Sequence, residues 1–158
     1  MTDLTRITLQ RDHNNGRFID VGRLDPVLDR LLYLIDIAAD SDVGGEDMLF
    51  LARGETPIPG VPEGPSPATL TALQAMVDLF EGDDEDCDEI RWKGAPGEQY
   101  HDSPTGDYTI EPGLVRWFLR TVKRIQREQE RKARSQALRE ARRPAAALTA
   151  SFGSLVKQ

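Results

Sequence analysis

The chain has one cysteine, Cys87, so no disulfide can close within it, and a lone thiol fits a reducing compartment. Histidine is almost as scarce. His13 and His101 stand at no ligand spacing from Cys87 or from each other, whereas a zinc centre needs about four such ligands. No stretch approaches the roughly 20 consecutive apolar residues of a membrane helix. The N-terminus, with Asp3 and Arg6 before a short alternating run, lacks the apolar core of a signal peptide, so a soluble, cytoplasmic protein is expected.

Catalytic signatures are missing too. There is no serine nucleophile elbow, no Gly-x-x-x-x-Gly-Lys-Ser/Thr loop, no dinucleotide glycine fingerprint and no His-Glu-x-x-His, and Gly44-Gly45 follows a predicted helix where a phosphate loop would follow a strand. The expectation is a protein that is not an enzyme and holds no cofactor. Were it an enzyme, Asp102, Asp107 and Glu111, close in sequence to His101, would be the first suspects.

What the chain has in abundance is charge, divided sharply along its length. Residues 1 to 112 carry 8 Lys and Arg against 24 Asp and Glu, a net of −16, while residues 113 to 158 carry 12 against 3, a net of +9. An acidic body with a basic arm can bind itself, a copy of itself, or another charged partner. Its 158 residues suffice for one ordinary domain with a real core. Apolar residues make up only 39% and charged residues 30%, so part of the chain is expected to lie outside that core.

Hydrophobic periodicity predicts an α+β fold. Ile7 and Leu9 alternate before His13-Asn14-Asn15-Gly16, and Ile19 and Val21 after it, the pattern of a β-hairpin. A three-residue loop ending at Gly16 pairs Leu9 with Val21 and Ile7 with Arg23, which keeps the apolar side chains on one face. Asp25-Pro26 then caps and opens a helix running to about Asp40, with Asp29, Tyr33, Asp36 and Asp40 as its polar stripe. Met48 to Leu51 reads as a short apolar anchor within a glycine- and proline-rich stretch that ends near Pro65. Ser66-Pro67 starts a second amphipathic helix, with Gly82 placed to end it. Ile90 to Lys93 and Tyr108 to Ile110 form a second small hairpin.

The last helix starts near Glu111-Pro112 and meets no breaker before Pro144. Leu114, Val115, Phe118, Val122 and Ile125 mark a face that docks on the body, whereas the basic stretch from Gln126 to Arg143 has little to bury. About 30 helical residues at ~1.5 Å each span about 45 Å, longer than a domain of this size covers, so the arm is expected to project. The expected organisation is an acidic domain over 1–125, a projecting basic helix over 126–143 and a tail over 144–158.

Three local features bear on partners. The acidic run Asp83, Asp84, Glu85, Asp86, Asp88 and Glu89 invites a hard cation, but a calcium loop begun at Asp84 would place Glu89 at the obligatory glycine and Ala95 at the closing glutamate. No metal is expected there, and Asp83, Asp84, Asp86 and Asp88 read as a docking surface for a basic partner. The complementary element is the arm, through Arg127, Arg131, Arg134, Arg139 and Arg142, followed by Leu148, Phe152, Leu155 and Val156 spaced as an apolar anchor. No aromatic base-stacking side chain is interleaved with these arginines, which weakens a nucleic-acid reading.

These features predict a non-enzymatic assembly or adaptor protein that docks its basic helix and tail on a neighbouring subunit, either another copy of itself or a different subunit of a larger assembly, with no membrane partner. A compact domain with a reaching terminal arm has an analogy in small particle-building proteins of bacteriophages, and a structural component of such a particle is the expectation drawn from that analogy alone. The alternative is a nucleic-acid-associated or DNA-mimicking regulator, for which Asp29, Asp36 and Asp40 would supply part of a carboxylate array.

Overall fold

A computed structural model describes residues 6–41, 43–55, 64–81, 88–94 and 106–156, with side chains described as far as Arg142. By its internal packing the chain divides into two units, Met1–Val122 and Lys123–Gln158.

The first unit is α+β. Its strands β1 (Gln10–Arg11), β2 (Arg17–Arg23), β3 (Asp88–Lys93) and β4 (Asp107–Ile110) form one mixed sheet in the order β1-β2-β3-β4. β1 with β2 and β3 with β4 are the two antiparallel pairs foreseen from alternation. They join because β2 and β3 pair in parallel. A parallel pair requires a long crossover, and the chain supplies it as α1 (Pro26–Ser41), α2 (Glu46–Arg53) and α3 (Pro67–Asp78). β4 then leads into α4 (Pro112–Val156).

The first turn departs from the predicted register. Gln10 faces Phe18 and Arg11 faces Arg17, so the strands are joined through Asp12 to Gly16 rather than through three residues. Asp12 explains the longer loop. Its Oδ1 accepts from the backbone N–H of Asn14 at 3.0 Å and of Gly16 at 2.9 Å, while Asn15 adopts a left-handed φ of 66°. The slip is an even number of residues and Ile19 and Val21 keep their inward face, but β1 forms beyond the expected strand, so Ile7 and Leu9 lie outside it and Leu9 is 37% exposed.

α1 begins as predicted: Asp25 Oδ1 accepts from Leu28 N–H at 3.0 Å, and Pro26 occupies the first helical position. α2 corrects the reading of Met48 to Leu51 as an isolated anchor. It is a helix burying Met48, Leu51 and Ala52, closed by Gly54 at φ 76°, whose N–H reaches the last carbonyls. The α3 cap is Ser66, whose Oγ accepts from Thr69 N–H at 3.2 Å. α3 stops at Asp78, ahead of Gly82, and Arg116 of α4 donates to the carbonyls of Val77 at 3.2 Å and Phe80 at 2.7 Å just there.

The core is drawn from every layer of this unit. Ile19, Ile90, Trp92 and Ile110 point inward from the sheet, Leu31, Leu32 and Ile35 come from α1, Leu73, Met76 and Val77 from α3, and Val115 and Phe118 from α4. Ile90 faces both Ile19 and Ile110 across the strands, which makes a continuous apolar row through the sheet.

The second unit is the rest of α4. Helix continues past Pro144 to Val156, which corrects the expected break. Proline at that position forfeits a single bond to the carbonyl of Glu140, and the following Ala145, Ala146 and Ala147 have the highest helix propensity. Among the described residues, no helix is long and apolar enough to cross a membrane.

Candidate interaction surface

The predicted polar stripe of α1 does not lie on the outside as a unit. Asp29 is fully buried and its Oδ1 accepts from the indole Nε1–H of Trp92 at 2.9 Å. Trp92 in turn stacks with Tyr108, ring centroids 5.6 Å apart. A buried carboxylate is stable only when its acceptors are satisfied, so Asp29 is part of the core's architecture. It is thereby withdrawn from any displayed array of acidic groups, leaving Asp36 and Asp40. Ile37, on the same helix, is 41% exposed.

Asp36 is half-buried, and burial raises its pKa, reinforced by the negative charges of Asp40 and Glu111. Its proton is therefore held more tightly in the folded than in the unfolded chain. The stability this contributes is full below the ordinary carboxylate range and is lost as pH rises through the raised folded value. At neutral pH the charge is a net penalty. Asp36→Asn is expected to melt higher than the parent near pH 7, with the gain shrinking toward zero near pH 3, in thermal unfolding followed by circular dichroism.

Asp88 belongs to β3, not to an exposed acidic loop. It is 2% exposed and bound by Arg17, whose Nε and Nη2 each lie 2.8 Å from its two oxygens. Arg17 also donates to the Glu81 carbonyl at 3.1 Å. As a docking residue Asp88 is thus corrected: its carboxylate is already engaged inside the fold. Asp83, Asp84 and Asp86 lie outside the described residues, as do Cys87, His101 and Asp102. His13 is exposed in the β1–β2 turn, Asp107 is exposed on β4, and Glu111 is exposed beside the start of α4. Among the described residues no group of His, Cys, Asp and Glu is arranged to hold a metal ion.

The sheet's other face is polar and internally paired. Arg91 stacks its guanidinium 3.8 Å from the Phe18 ring centroid and pairs with Asp12 and Glu89, each at 3.0 Å. Asp12 is held below its usual carboxylate range, first by the Gly16 N–H bond and then by those of Asn14 and Arg91, opposed by some desolvation.

In the second unit, Ile125 is the last buried side chain among the described residues. From Gln126 to Arg142 every residue is exposed except the half-buried Glu128. Arg127, Arg131, Arg134, Arg139 and Arg142 are all open to solvent, and the ion pairs of the described residues include none of them. Glu128 and Lys132, at the favourable helical spacing, are likewise not paired, and a Gln136-to-Glu140 bond of 3.2 Å is the side-chain link found there. A shallow depression lined by Glu128, Arg131, Lys132, Ser135, Gln136, Arg139 and Glu140 follows this one helix. With a single wall, it does not enclose a small molecule. The anchor residues Leu148, Phe152, Leu155 and Val156 are helical in backbone, and their side chains lie outside the described residues.

Comparison with models of protein families, with curated proteins and with solved structures finds no match. The surface itself is what carries a functional reading.

Proposed function

We propose that this chain is a non-enzymatic assembly or adaptor protein, acting in the cytoplasm or in a particle built there, which docks its basic helix on the acidic body of another copy. The observation that carries the reading is the exposure of every residue from Gln126 to Arg142 except the half-buried Glu128, with the arginines unpaired. A helix that is polar all round gains little from packing, and isolated helices are marginal in water, so such a segment gains most from a partner. The charge needed is at hand. Residues 1 to 122 carry 10 basic and 24 acidic side chains, a net of −14, against a net of +7 over 123 to 158. Exposed charges of opposite sign steer association and set its orientation, even where each pair contributes little.

Light scattering on the full chain tests this. At low salt the mass is expected at a multiple of 17.6 kDa, falling to one chain near ~1 M salt, where screening acts over about 3 Å. A chain ending at Ile125 is expected to remain folded and monomeric at every salt concentration. A full chain that stays monomeric at low salt and ~100 μM, a concentration at which a contact with Kd near 10 μM would be mostly formed, overturns the reading.

A further inference from the structure

The exposed part of α4 is not uniformly basic. At 100° per residue, Arg124, Arg127, Arg131, Arg134 and Arg142 fall within a sector of about 80°, in a repeat of three and four residues. Gln126, Gln129, Ala133, Gln136, Ala137 and Glu140 fill the opposite sector. One large apolar side chain stands inside the arginine sector: Leu138, 61% exposed, one turn from Arg134 on one side and from Arg142 on the other.

We propose that this ridge, with Leu138 as its anchor, is the face of α4 that seats on the acidic body of a second copy of this chain. The inference rests on the docking reading above and adds which face and which residue carry it. A phosphate backbone offers charge but no apolar slot, so a leucine set among arginines fits a protein surface better than a nucleic acid. In protein contacts a desolvated side chain at the centre, ringed by groups that exclude water, carries most of the energy, and arginine is enriched around it. The opposite sector carries no positive charge and no large apolar side chain. The net of −14 over residues 1 to 122 makes a second copy the complementary occupant.

The test compares full-length variants by light scattering and sedimentation, with helicity checked by circular dichroism. Leu138→Lys preserves the positive field, and its exposure makes folding indifferent to it, yet self-association is expected to weaken roughly tenfold or more. Ala137→Lys, in the opposite sector, is expected to leave it unchanged. Arg134→Gln with Arg142→Gln removes the same charge as Lys132→Gln with Arg139→Gln, and the first pair is expected to weaken association several-fold more than the second. If Leu138→Lys is neutral, or the two double variants act equally, the ridge assignment falls while docking by the arm survives. If removing residues 126–158 leaves the mass unchanged, the docking reading itself falls. Retention of nucleic acid by the full chain, lost in the arginine variants and unaffected at Leu138, would overturn the protein partner.

Discussion

Arg17→Ala is expected to lower stability by about 3 kcal/mol, roughly 10 °C in melting temperature for a chain of this size. The cause is the charge it leaves behind. Asp88 is 2% exposed and takes both of its strong hydrogen bonds from the Arg17 side chain, so truncation strands a carboxylate in a region that water does not reach. The Glu81 carbonyl loses a donor as well. The two residues sit opposite one another where β2 and β3 run parallel, so the loss falls on the pairing that unites the two halves of the sheet. A double variant, Arg17→Met with Asp88→Leu, removes the charge and its partner together and is expected to recover most of the loss. Urea unfolding of the parent, the single variant and the double variant measures this. Equal destabilisation by the single and double variants would mean that packing, rather than the stranded charge, sets the cost.

That pair also shows what sequence could and could not disclose. Alternation at Ile19 and Val21 and the Asp25-Pro26 start are local signals, and β2 and α1 follow from them, whereas β1 forms at Gln10–Arg11, beyond the alternating Ile7 and Leu9. The sheet they enter depends on β2 meeting β3 across 71 residues, and no periodicity reports a partner that distant. Asp88 belonged by composition to an acidic run, but the arginine that buries it comes from the other side of the crossover. Helical spacing places Asp29 on a polar stripe for the same reason, since its acceptor role becomes visible only with Trp92 placed against it. α2 is short and bounded by glycines, so its three buried side chains resembled an isolated anchor until the fold supplied their neighbours. The basic arm was the most legible feature because exposure demands no partner. Its arginine ridge was equally available from spacing, though Leu138 stands out only when its exposure is measured.

Phe118→Ala is expected to cost about 3–5 kcal/mol, the largest effect of any single truncation considered, because the ring is fully buried and leaves a cavity its neighbours only partly refill. Single substitutions of Arg127, Arg131 or Arg134 by alanine, all on exposed positions of the same helix, are expected to change stability by no more than about 0.5 kcal/mol. One continuous helix thus contains a stretch that the fold cannot lose and a stretch the fold does not use. A run of exposed, unpaired arginines adds nothing to the stability of its own chain, since like charges a turn apart repel. The contrast is measurable in one experiment that follows both unfolding and mass. Phe118→Ala should lower the melting temperature steeply while the remaining folded chain still self-associates, and the arginine variants should do the opposite. Were the arginine variants to unfold as readily as Phe118→Ala, the basic segment would be a structural part of its own chain, and its availability for a second copy would be gone.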